Sequence, residues 1–187
     1  MNKTIKSTIV VLLAILAIAG IIFGAYAPLT KSTRYIKALK EISLVHSMND
    51  FEKNFLPALT HWSPIGQEEV VKFLANDIVG IASQSGQPEV VARAVVDFVE
   101  PYLFKDDIRH LLIGASIRAI LWQNYGRKEA DFEKAEAYYR AALAIGPKLP
   151  PPLYGLLELY RQKGDVEKAS AIIGQIISLW PDAFSER

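Results

Sequence analysis

Cysteine is missing from all 187 residues. That removes disulfides, thiolate metal ligands, a thiol nucleophile and a lipid-modified cysteine anchor together. An excess of one charge is missing too. Lys and Arg number 21 against 20 Asp and Glu, a net charge of +1, so the chain carries no electrostatic footprint for nucleic acid. Histidine is scarce: His46, His61 and His110 lie far apart in sequence. None has the i, i+4 partner or flanking carboxylate that a metal site requires. No phosphate-cradling glycine loop and no nucleophile elbow occurs. Asp106-Asp107 with Arg109-His110 reads as the charged start of a helix. Strand-type alternation is also absent, because the valine-rich pieces follow a helical period. These absences point to an all-α, non-enzymatic chain with no cofactor or metal, no nucleic-acid partner and no small-molecule substrate.

Charged side chains are absent altogether from Ser7 to Thr30. The apolar run Thr8–Ala27 has the length of a bilayer-spanning helix, since about 20 residues at roughly 1.5 Å each cross the hydrocarbon core. In lipid it satisfies its own backbone only as a helix. Pro28 is expected to end or kink it, and Tyr26 suits the membrane interface. Residues 1–30 are therefore expected to be a hydrophobic membrane anchor or an uncleaved signal, with membrane lipid as the partner of residues 8–27. A cleaved signal is the competing reading. Lys3 and Lys6 make a positive start and Ala25-Tyr26-Ala27 an A-x-A pattern, but the apolar core exceeds the usual signal length of about 7–15 residues. Gly20 and Gly24 form a G-x-x-x-G pattern, the spacing at which membrane helices approach closely. Lys31, Arg34, Lys37 and Lys40 follow the span, and a plain charge count would hold that side in the cytoplasm. Long domains translocate regardless of such counts. A single-pass chain with an extracytoplasmic soluble part is the expectation.

Residues 31–104 read as amphipathic helices. Ser32 or Thr33 is expected to cap one running to about His46, with Tyr35, Ile36, Leu39, Ile42 and Val45 along one stripe. Ser47-Met-Asn-Asp50 resembles a capping box and opens a short helix with Phe51, Phe55, Leu56 and Leu59. Gln67 to Ser83 is strongly amphipathic. Pro88 opens another helix, and Asp106 or Asp107 caps the next.

Residues 105–187 hold an internal repeat. Asp131-Phe-Glu-Lys-Ala135 recurs as Asp165-Val-Glu-Lys-Ala169, 34 residues on, and the offset carries Tyr139 onto Ile173, Leu143 onto Ile177 and Pro147 onto Pro181. Each unit is a helix pair, the two spanning about 113–147 and 151–181. The period, with Leu121, Tyr125, Ala135, Tyr139, Ala142 and Pro147 in one unit and Leu156, Tyr160, Gly164, Ala169 and Pro181 in the other, resembles the tetratricopeptide repeat. Trp122 and Leu157 stand where that family usually has Gly, and Ile176 where it usually has Ala. The first unit's turn has one extra residue. Asp50-Phe-Glu-Lys53 echoes the motif, so residues 31–104 are expected to hold degenerate copies that complete the stack. The layout also resembles, more weakly, the C-terminal tetratricopeptide tail of bacterial O-antigen ligase-like membrane proteins, without their multi-span catalytic part.

The resemblance implies an α-solenoid of helix hairpins whose first helices line a peptide-binding groove. Carried onto this chain, Gln123, Tyr154, Glu158 and Arg161 would face it. A second surface is read from the residues alone. Ile172, Ile173, Ile176, Ile177 and Trp180 are more apolar groups than one flank of a terminal repeat helix needs, and they mark an oligomer or partner patch. The leading expectation is a membrane-anchored scaffold for protein–protein interaction. One alternative is a self-assembling subunit, an extracellular filament or homo-oligomer, packed through the N-terminal helix and the apolar C-terminal repeat. The other is an accessory module of envelope polysaccharide machinery.

Overall fold

The computed structural model describes residues 3–183. Among these the chain is helical throughout, with no strand. It divides into two compact units, Met1–Val71 and Lys72–Arg187.

The first unit begins with α1 (Lys3–Ile21), passes through one π-helical turn (Ile22–Tyr26) and continues as α2 (Ala27–Lys40). Pro28 is expected to end or kink the apolar helix; the ending is corrected, since the helix runs on from Ser7 to Lys40. The π turn supplies the reason. A proline removes one N–H and its ring crowds the preceding turn, while a π turn widens the helix by one residue. Ala27 N–H bonds Ile22 O, five residues back, and Pro28 follows directly, at the start of α2. The expected cap at Ser32 or Thr33 is accordingly not a helix start, and a short 3₁₀ turn (Ile42–Leu44) ends the rod.

Helix α3 (Met48–Thr60) starts where Ser47 Oγ accepts the Asp50 N–H at 3.2 Å. It turns back along α2, antiparallel to it. Its buried face, Phe51, Phe55, Ala58 and Leu59, packs on Tyr35 and Ala38, with Phe55 6.3 Å from the Tyr35 ring. Polar contacts set the register. Asn54 Nδ2 donates to Ala38 O at 2.8 Å near one end, and the Lys31 ammonium donates to His61 O at 2.6 Å at the other. Arg34 donates to Pro57 O at 3.3 Å. The last carbonyls of a helix lack intrahelical donors and carry the negative end of its dipole, so two cations there satisfy both needs. Helix α4 (Gln67–Ser83) crosses the boundary between the units.

The second unit holds α5 (Glu89–Val99), α6 (Ile108–Asn124), α7 (Glu129–Ile145), α8 (Pro150–Lys163) and α9 (Val166–Leu179). Asp107 caps α6, its carboxylate accepting the Arg109 N–H at 2.8 Å. Helices α6 and α7 form one antiparallel pair, α8 and α9 the next, and α8 packs on both members of the first pair. One core runs through them, from Trp122, Phe132 and Tyr139 to Leu153, Leu156, Tyr160, Ile172 and Ile176. Gly164 ends α8 at φ +82°, a left-handed conformation that glycine adopts without strain. In the first pair the extra turn residue is resolved by Gly126 and Arg127, at φ +81° and +50°.

Candidate functional site

The 34-residue offset survives in three dimensions. Ala135 and Ala169, one period apart, are both buried between paired helices, as are Ala142 and Ile176. In the first helices of each pair the offset is 35, because of the extra turn residue. It sets Leu121 on Leu156, Trp122 on Leu157 and Tyr125 on Tyr160, all buried. The two tyrosines do related work. Tyr125 donates to Ala82 O of α4 at 2.9 Å, and Tyr160 donates to Glu136 of α7 at 2.7 Å while accepting from Arg140 at 2.8 Å. Each ties its helix to an earlier one. Burial, then the Glu136 carboxylate, pushes the Tyr160 phenol up to about 12, so it stays a donor across the physiological range.

Of the expected groove residues, Tyr154, Glu158 and Arg161 lie at i, i+4 and i+7 on one exposed face of α8. Arg161 approaches Glu158 at 3.6 Å, and Glu158 also accepts from Gln162 at 2.8 Å. Gln123 is exposed in the last turn of α6, one 35-residue step before Glu158. Tyr154 is 41% exposed, with its ring available. The expected apolar patch on α9 is divided by its helical phase. Ile172 and Ile176 point into the core, so they offer no outer surface. Ile173 and Trp180 are half-buried against the same core. Ile177 is exposed, and so is Val166, which the sequence reading did not single out. Gly20 and Gly24 sit on α1 and in the π turn with open space where a Cβ would be.

The sequence reading missed a cluster of charges between α5, α6 and α7. Arg118 is 4% exposed in the middle of α6. Its guanidinium bonds Glu100, Asp97 (3.1 Å) and Asp131 (3.1 Å). Asp131, 3% exposed, also takes Arg93 at 2.8 Å. Lys134 reaches Glu100 at 3.0 Å, and the Tyr138 phenol donates to it at 3.3 Å. Beside them lies an open cleft of about 480 Å³ lined by Glu100, Pro101, Lys105, Leu111, Lys134 and Tyr138. A signal for the cluster was present. Arg118 is 35 residues from Leu153, a core position, and an arginine there requires buried anions.

These charges give the unit an acid limit. Burial pushes the Glu100 carboxyl up, but hydrogen bonds and charge from Arg118 and Lys134 outweigh it and hold it below the ordinary 4.5. The Arg109 guanidinium holds Asp107 down at about 2, against an ordinary 3.8. A carboxyl lowered on folding contributes stability above its unfolded pKa, and that contribution is lost as pH falls through the folded one. The melting temperature is therefore expected to fall as the pH drops below 4.5, with the Asp107 share lost between 3.8 and about 2. Melting curves of wild type and Asp107→Asn check this, since the variant should be flatter in the lower interval.

Tandem antiparallel helix pairs sharing one core, joined by a small-residue register, define a helical-repeat fold. Residues 127–183 match the tetratricopeptide repeat family. No curated protein and no solved structure matches the chain. The family is generally non-catalytic and typically mediates protein–protein interaction. At the other end, the helix Ser7–Lys40 is long and apolar enough to cross a membrane, and its apolar window has no buried residue. A signal sequence would have the same property.

Proposed function

We propose that this chain is a single-pass membrane scaffold whose tetratricopeptide unit holds a protein partner beside the bilayer. The observation that carries the reading is the pairing of a matched repeat segment with an N-terminal helix exposed on every apolar face. Retention of that helix is supported by its course. It passes unbroken through Ala27-Pro28, where a signal would be cut, and Ala27 is only 6% exposed. An exposed apolar rod costs free energy in water, at roughly 25 cal/mol per Å², and none in lipid. The groove face of α8, with Tyr154, Glu158 and Arg161, and Gln123 on α6, is the partner surface. An aromatic ring flanked by one anion and one cation suits a peptide segment better than a small molecule. The soluble part lies on the extracytoplasmic side.

A photo-crosslinking residue at Tyr154, in the full chain in native membranes, tests this. Irradiation is expected to yield an adduct with a different protein, lost or much reduced in Glu158→Arg. An adduct with the chain alone would replace the scaffold reading with self-assembly. No adduct from this site would sink the groove assignment.

A further inference from the structure

The antiparallel pair α2–α3 sends the chain back toward the apolar helix. The cations Lys31 and Arg34 hold the carbonyls of His61 and Pro57, so the end of α3 is fixed beside the first turns of α2. The next residue, Trp62, meets the apolar helix itself: its ring stands edge-on to Phe23, with centroids 5.6 Å apart and planes at 84°. Phe23 is four residues inside the end of the apolar run, roughly 6 Å at the helical rise. Despite that contact Trp62 remains 63% exposed, and Ile65, in the same loop, is 61% exposed. Tyr26 and Leu29, on the rod at that level, are 65% and 67% exposed. A soluble loop gains nothing by presenting a tryptophan and an isoleucine to water, whereas indole rings concentrate at the membrane–water boundary.

We propose that the loop 61–66 is a second membrane contact, with Trp62 and Ile65 inserted into the interfacial layer of the bilayer beside Phe23. The occupant of this apolar surface is lipid, because the surface is continuous with the span and Trp62 touches the span directly. The first unit is then a foot resting on the membrane at two places, and the anchor cannot swivel freely beneath it. Lys31 acts as a positioning residue, since its bond to His61 O aims the loop.

The inference rests on the membrane-anchor reading, and the test separates the two. The absence of native cysteine allows single spin labels at Leu16→Cys, Ile65→Cys and Val90→Cys in the full chain, reconstituted into phosphatidylcholine–phosphatidylglycerol vesicles. Accessibility to oxygen and to a water-soluble nickel chelate is read at each. Leu16→Cys should favour oxygen, and Val90→Cys, at a position 80% exposed, should favour nickel. Ile65→Cys should show nickel access at least several-fold below Val90→Cys. Leu16 in lipid with Ile65 as wet as Val90 overturns the loop contact alone. Leu16 in water overturns the anchor and the loop contact together. As a check without labels, brominated lipid should quench wild-type tryptophan fluorescence more than that of Trp62→Phe, and equal quenching in the two refutes the insertion.

Discussion

Arg118→Ala is expected to destabilise the protein by about 3–5 kcal/mol, the range for removing one partner of a buried ion pair. That is a large part of the roughly 5–15 kcal/mol that holds a typical domain. The loss comes from what remains. Asp131 is 3% exposed, and without Arg118 it keeps Arg93, while Glu100 keeps Lys134. Denaturation of the full chain in detergent, followed by helical circular dichroism, measures the effect. The double variant Arg118→Leu with Asp131→Leu should recover most of it, because it removes the buried anion with the cation and places at 118 the residue type of Leu153. A single variant indistinguishable from wild type would show that the cluster is solvated in solution.

Leu157→Ala is expected to cost about 2–5 kcal/mol, as for other buried leucines, even though it moves the sequence toward the family pattern. Leu157 is 7% exposed and belongs to the core shared by the two helix pairs. The close approach that a small residue usually permits at that position occurs here at Gly155. A Cβ on Gly155 would collide with the Tyr139 ring, which packs across α8. Gly155→Leu is therefore expected to destabilise by about 1–3 kcal/mol through overpacking, with a rise in the unfolding rate. If Leu157→Ala were neutral and Gly155→Leu harmless, the packing of α8 on α7 would differ from that described. The same denaturation curves decide both.

Much of the second unit was legible in the sequence because repeats report on themselves. The recurrence of Asp131-Phe-Glu-Lys-Ala135 set the register, from which the burial of Ala135 with Ala169 follows, and the extra turn residue shifts it by one to bury Tyr125 with Tyr160. What the repeat concealed was a difference within the motif. Asp165 caps α9, accepting the Lys168 N–H at 3.0 Å. Its counterpart Asp131 lies in the first turn of α7 and is spent on Arg118 and Arg93. Which of the two roles an aspartate takes depends on partners far away in sequence. The apolar crowd on α9 was misjudged for a related reason: residues four apart share a face, so Ile172 and Ile176 turn inward together and leave Ile177 outside. In the first unit, Pro28 signals an end or a kink of the helix, and the π turn that accommodates it leaves no mark in composition. The approach of Trp62 to Phe23 depends on α3 turning back, fixed by two cations that from sequence alone resembled a basic juxtamembrane run.

Tandem repeats are often treated as interchangeable modules, added or removed along a stack. The charged cluster denies that freedom at one joint. The face that α6 presents to the preceding helix carries an arginine bonded to Asp97 and Glu100. A preceding segment without an acid at the height of Glu100 would leave that buried guanidinium with Asp131 as its remaining buried anion. The joint is thus keyed, and the order of segments in the chain is written into a side chain as well as into the backbone that connects them.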